Sequence, residues 1–159
     1  MIMVTPSRKP RVAADAKDGA ETLDFGMLPG LVGYVLRRAQ LRVFEDFIRS
    51  FEPLALRPAQ FSALLLIEAN PGRSQREIAA GLGIQRPNFV AMMDEFEARG
   101  LARRTRSEVD RRSHALMLTP AGTDLLVRAK AVVAEHEARA TAGLSEPDRL
   151  RLLALLKAM

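Results

Sequence analysis

The chain has 159 residues, 48% of them hydrophobic, with a formal net charge of +5 at pH 7. That apolar share suffices for a core and excludes wholesale disorder. The absence of cysteine excludes disulfides, thiolate metal sites and thiol-based redox sensing, and no run of residues approaches a membrane span.

The length fits one domain, or a domain with an accessory segment. Arginine is strongly preferred over lysine. A guanidinium holds its charge and grips phosphate with a planar fork, so a polyanionic partner is the leading expectation, with a merely soluble basic protein as the plain alternative. The N-terminus lacks a signal-like apolar stretch, so the cytoplasm is the default address.

Residues 1–26 mix charges of both signs with Pro and Gly and show no apolar period, which reads as a flexible, solvated arm. Its Arg8, Lys9 and Arg11 are offset by Asp15, Asp18, Glu21 and Asp24. From Leu31 to Phe51 the pattern is helical, with Leu41, Phe44, Phe47, Ile48 and Phe51 on one broad face. Leu31, Val32, Val35, Leu36, Ala39 and Val43 lie on another side, so this helix is expected to pack on its own domain and on a second chain.

A second helix is expected over 57–70, with Pro58 in its first turn and Asn70-Pro71-Gly72 closing it. A short third helix spans 74–83, where Ser74 and Glu77 have capping-box spacing. A fourth covers 85–100 and stops at Gly100. Leu101–Arg104 and Ser113–Leu118 read as two strands around a basic hairpin tip, since apolar residues alternate after Arg112. A long helix from Pro120 to Gly143 and a last one from Ser145 to Met159 complete the chain.

The short helix, its glycine-containing turn and the helix after it form a helix-turn-helix, and the hairpin is its wing. Ser74, Gln75 and Arg76 offer a satisfied N-terminus near phosphates. Ile78, Ala79, Ala80 and Leu82 supply the inner face of the short helix, and Phe89, Met92, Met93 and Phe96 the core side of the next. Gln85, Arg86 and Asn88 open the second helix, where side chains reach base edges in the major groove. Asn88 has a second reading, as a cap of its own helix. Arg111 and Arg112 are the candidates for the adjacent minor groove, with Asp110 orienting one of them. Arg103, Arg104 and Arg106 are phosphate anchors or solvated charges rather than base readers.

The stretch from Phe61 to Gly122 resembles the multiple-antibiotic-resistance regulator (MarR) family of winged-helix repressors. The specific parts are "EFEARGLARR" and "DRRSHALMLTPAG", whose Asp110 and Arg112 match the family's Asp-x-Arg wing motif. The resemblance extends over roughly residues 28–159. Gln85 stands where relatives often carry Asp, Ser or Thr, and Pro87-Asn88 replace a frequent Ser-Thr pair, so the operator sequence is not carried over.

The fold class expected is therefore mainly α with a small β-hairpin wing. It comprises an arm (1–26), an N-terminal dimerisation helix (27–56), a winged helix-turn-helix lobe (57–119) and C-terminal dimerisation helices (120–159). Leucines crowd the last helix, and in the family the terminal helices form a two-fold dimer. Two recognition helices would then meet a pseudo-palindromic site with half-sites about 34 Å apart.

Members of the family commonly release DNA when a small molecule binds between the dimer helices and the DNA-reading lobe. "GYVLRRAQLRVFEDF" with "LRPAQFSALLLIEANPG" is also similar to a subset that controls aromatic-acid breakdown, some of which sense hydroxycinnamoyl-CoA thioesters. The resemblance implies an aromatic acid or its CoA thioester as effector. Phe44, Phe61 and Leu65 are candidate lining, and Arg37, Arg38 and Arg42 candidate anion contacts. Arg37 interrupts an apolar stripe, and a salt bridge or a snorkelling side chain is its plainer account.

His114 and His136 lie on different elements, and a metal site usually needs three or four converging ligands, so both read as structural or surface residues. No nucleophile–base pair, phosphate loop or dinucleotide fingerprint occurs; neither catalysis nor a cofactor is expected. A ligand-independent architectural DNA binder and a helical protein-interaction module are the alternatives to a ligand-released repressor.

Overall fold

The computed structural model of the chain describes residues 23–106 and 114–159. The arm therefore lies outside the described residues up to residue 22. A 3-10 turn over Leu28–Gly30 leads into α1 (Val32–Phe51). On the inner side of α1 the rings of Phe47 and Phe51 stack 3.9 Å apart, and Phe61 meets Phe51 edge-on at 5.1 Å. Leu41, Phe44 and Ile48, on the outer side, are exposed. The broad face expected to hold all five is therefore split, and on the other expected side Leu31, Val32, Val35 and Leu36 are exposed while Ala39 and Val43 are half-buried.

Proline cannot continue an α-helix, and Pro53 follows α1 within a 3-10 turn over Glu52–Leu54. That turn ends at Ala55, whose φ of +48° is left-handed and costs a non-glycine residue about 1–2 kcal/mol. The corner is held from a distance. Arg99 donates from its guanidinium to the carbonyls of Ala55 (2.8 Å) and Leu54 (3.3 Å).

The second helix, α2 (Pro58–Ala69), has Pro in its first turn, and buried Gln60 accepts from the Arg57 backbone N–H at 3.0 Å. Next comes α3 (Gln75–Gly81), capped as its spacing predicts. The Glu77 N–H donates to Ser74 Oγ, and Glu77 Oε2 accepts from the Ser74 N–H at 2.9 Å. The turn to α4 (Arg86–Ala98) needs a left-handed residue, and Gly83 takes it with φ +64°. Ile78 and Ala79 of α3 are buried, but Ala80 is exposed. At 100° per residue a seven-residue helix cannot turn 78, 79, 80 and 82 to one side.

Strands β1 (Ala102–Arg106) and β2 (His114–Leu118) pair antiparallel, with Ala102 opposite Leu118 and Arg104 opposite Leu116. A contribution not visible in the sequence lies on the other edge of β2. Gly72 N–H donates to the Leu116 carbonyl, and Leu116 N–H to the Arg73 carbonyl, both at 2.9 Å. Ser74 bridges Ala115 there. The wing is thus welded to the start of α3.

Thr119 caps α5 (Pro120–Ala140), accepting from Gly122 N–H at 3.0 Å. Gly122 is obligatory for a different reason. A Cβ there would lie 1.9 Å from the Leu101 carbonyl oxygen. The helix stops three residues short of the expected Gly143, at Thr141, whose hydroxyl and N–H both donate to the Glu137 carbonyl, at 2.7 and 3.0 Å. Last, α6 (Glu146–Lys157) is capped by Ser145 and buries no residue. The core collects Phe51, Leu64 and Ile67 with Phe89, Met93 and Phe96 of α4, Leu116 of β2 and Leu126 of α5. Each such side chain contributes about 1.5–3 kcal/mol on burial.

Candidate DNA-reading surface

The core residues of α4 recur on one face, so its roll is set by packing, and the opposite face is left to solvent. Gln85, Arg86, Pro87 and Asn88 are all exposed at its N-terminal end. Gln85 occupies the N-cap and no side chain caps the helix, so Asn88 does not serve as its cap. Arg76 is exposed on α3, whereas Ser74 and Gln75 are half-buried. Hydrogen bonding from the Ser74 backbone N–H, aided by its hydroxyl and by Arg73, holds the Glu77 carboxyl below its ordinary range. The capping box is therefore fully ionised at neutral pH.

Asp110, Arg111 and Arg112 lie outside the described residues. Arg104, expected as a phosphate anchor or a solvated charge, turns inward instead. Its side chain is only 16% exposed and pairs with Glu97 and, at 2.8 Å, with Asp94. It also donates to the Val90 carbonyl (3.1 Å) and to Gln75 Oε1 (3.3 Å), while Glu97 accepts from the Arg104 N–H at 2.8 Å. One guanidinium thus ties β1 to α4 and α3. The sequence signal was there, two carboxylates at i and i+3 on the helix preceding an arginine run. Arg99, which joins α4 to the Ala55 corner, had no such signal.

The six effector candidates differ in exposure. Arg37, Arg38, Arg42 and Phe44 are exposed on α1 and Leu65 is half-buried, but Phe61 is 6% exposed within the core beside Phe47 and Phe51. An open groove of about 630 Å³ lies elsewhere, lined by Glu45, Ile48, Arg49, Glu52, Ala55, Leu56 and Arg57. His136 is buried against Asp46 and Phe47. Among the described residues no cluster of three or more His, Cys, Asp or Glu could hold a metal, and no helix is long and apolar enough to cross a membrane.

A capped short helix, a glycine turn, a second helix with an exposed polar N-terminus and a following hairpin together define a winged helix-turn-helix protein. Comparison with known proteins gives the finer placement. A MarR family profile matches residues 56–113. A protein assigned to transcriptional regulation of the hcr operon in Thauera aromatica is 34% identical over 151 residues, covering 94% of this chain and 90% of the relative. The chain belongs to the MarR family, whose solved relatives here are transcriptional regulators. The repressor CouR bound to a 23-mer DNA duplex is 57% identical, covers 87% of this chain and 98% of its own, and superposes with a TM-score of 0.83. CouR bound to p-coumaroyl-CoA matches at 57% identity and a TM-score of 0.77, covering 85% and 95%. A MarR-family regulator from Rhodococcus sp. RHA1 follows at 29% identity and 0.76, covering 82% and 93%.

Proposed function

We propose that this protein is a cytoplasmic, homodimeric transcriptional repressor, without catalytic activity, released from a pseudo-palindromic operator by an aromatic acyl-CoA thioester. One observation carries most of the weight. A repressor 57% identical over nearly the whole described chain has been solved on duplex DNA and with p-coumaroyl-CoA.

The local chemistry supports the same reading. Gln85, Arg86 and Asn88 read base edges, Ser74, Gln75 and Arg76 hold phosphate, and Asp110, Arg111 and Arg112 serve the wing. Dimerisation rests on segments 27–56 and 120–159 around the lobe at 57–119. Leu31, Val32 and Val35 near one end, and Leu150, Leu153 and Leu156 near the other, are exposed. Apolar surface on that scale marks an interface. In this reading Arg37, Arg38 and Arg42, exposed on α1, receive the phosphates of a CoA, and Phe44 and Leu65 contact its aromatic end.

A ligand releases DNA only by binding the DNA-incompatible state more tightly. The test is fluorescence anisotropy on a duplex carrying the pseudo-palindrome beside the protein's own gene, against scrambled duplex at fixed salt, with and without p-coumaroyl-CoA. The expected result is a strong preference for the palindrome that the thioester abolishes. Equal affinity for both duplexes, unaffected by the thioester, favours an architectural DNA binder instead.

A further inference from the structure

We infer that Val90 is a specificity-determining residue that reads the 5-methyl group of a thymine in each half-site; this rests on the DNA-binding reading above. The apolar side chains of α4 divide sharply. Phe89, Met93 and Phe96 are buried and Met92 is partly so, all on the core face. Val90, 100° round the helix from Phe89, is 37% exposed at the flank of that face. It follows Arg86 by four residues, so the two side chains lie one above the other on a helix.

Nothing in the packing calls for a valine here. A β-branched residue on an exposed helical surface has lower helix propensity than most alternatives and gains little from burial. Its position is nevertheless fixed. Arg104 donates to the Val90 carbonyl at 3.1 Å while paired with Asp94 and Glu97, so this turn of α4 is pinned to β1 from outside the helix. A stiff, branched pair of methyl groups, partly exposed and one turn from a base-reading arginine, is suited to one feature of the major groove. The thymine methyl is the groove's apolar marker, and apolar side chains select it by contact. Arg104 is the positioning residue in this arrangement, and Val90 makes the contact.

The experiment selects duplexes from a random pool with the full chain and then replaces each thymidine of the selected site by deoxyuridine, which removes only the methyl group. For the wild-type chain one symmetric thymine should lose about fourfold in affinity when replaced in one half-site, and about fifteenfold in both, as expected for one methyl-sized contact. Val90→Ala should bind the thymine and uracil duplexes alike, with circular dichroism unchanged. The inference is overturned if no replacement costs the wild type more than twofold, or if Val90→Ala keeps the full loss. A chain that selects no sequence at all overturns the DNA-reading function as well, which separates the two failures.

Discussion

Nδ1 of His136 lies 2.8 Å from Oδ2 of Asp46, closing the joint between α5 and α1. The imidazole is buried and stands edge-on to Phe47, with ring centroids 5.3 Å apart. Arg139 brings a guanidinium to the same carboxylate at 3.2 Å and donates to Ser50 Oγ at 2.7 Å. The helix carrying most of the exposed apolar surface at the N-terminal end is thereby tied to the one that leads into α6.

Asp46→Ala leaves a buried imidazole nitrogen without its partner, which lowers the melting temperature by about 5 °C. The joint also has a pH signature. Hydrogen bonding to His136 first, and to Arg139 after it, holds the Asp46 carboxyl below its ordinary value of 3.8. A depressed folded value means that the carboxylate's contribution is fully present above pH 3.8 and disappears as pH falls through the folded value. The difference in melting temperature between wild type and Asp46→Asn should shrink as pH falls below 4. A difference that grows below pH 4 refutes this account.

Gly122→Ala places a methyl on the Leu101 carbonyl, against backbone that cannot rotate away. A loss of about 3 kcal/mol or more in urea unfolding is expected, at the upper end of overpacking costs. Gly143→Ala, with open space around its Cβ position, serves as control and should change stability by less than about 1 kcal/mol.

Neighbouring arginines on β1 should behave oppositely. Arg104→Ala breaks the ties to Asp94, Glu97 and Gln75 and should cost about 1–3 kcal/mol of stability without any DNA present. Arg103 is exposed, and Arg103→Ala should leave the unfolding curve within about 0.5 kcal/mol of wild type. Equal effects of the two substitutions count against an internal role for Arg104.

On DNA, Arg86→Ala should cost about 1–3 kcal/mol at the operator and relax preference at one base position. Arg76→Ala should weaken operator and scrambled duplex alike and reduce the salt slope by about 1. Titrations at three salt concentrations distinguish them.

Much of this was legible in the residues. The Ser74–Glu77 box, Pro58, Gly83 and the core spacing of Phe89, Met93 and Phe96 each act within a few residues of themselves, so local rules place α2, α3 and α4 within about two residues. The "DRRSHALMLTPAG" junction marked the wing and its family in the same way. What sequence could not decide is where charged and apolar side chains spend themselves across long separations. Arg104 reads as one more surface arginine until Asp94 and Glu97 are folded against it, and Arg99 until the Leu54–Ala55 carbonyls arrive beneath it from 44 residues away. The ring contacts of Phe61 with Phe47 and Phe51 likewise join two helices and are not readable from either segment alone. Helical period fixes which side of an element is apolar, a local property of the chain. Which neighbour then covers that side depends on closing loops of tens of residues, and only the tertiary structure decides it.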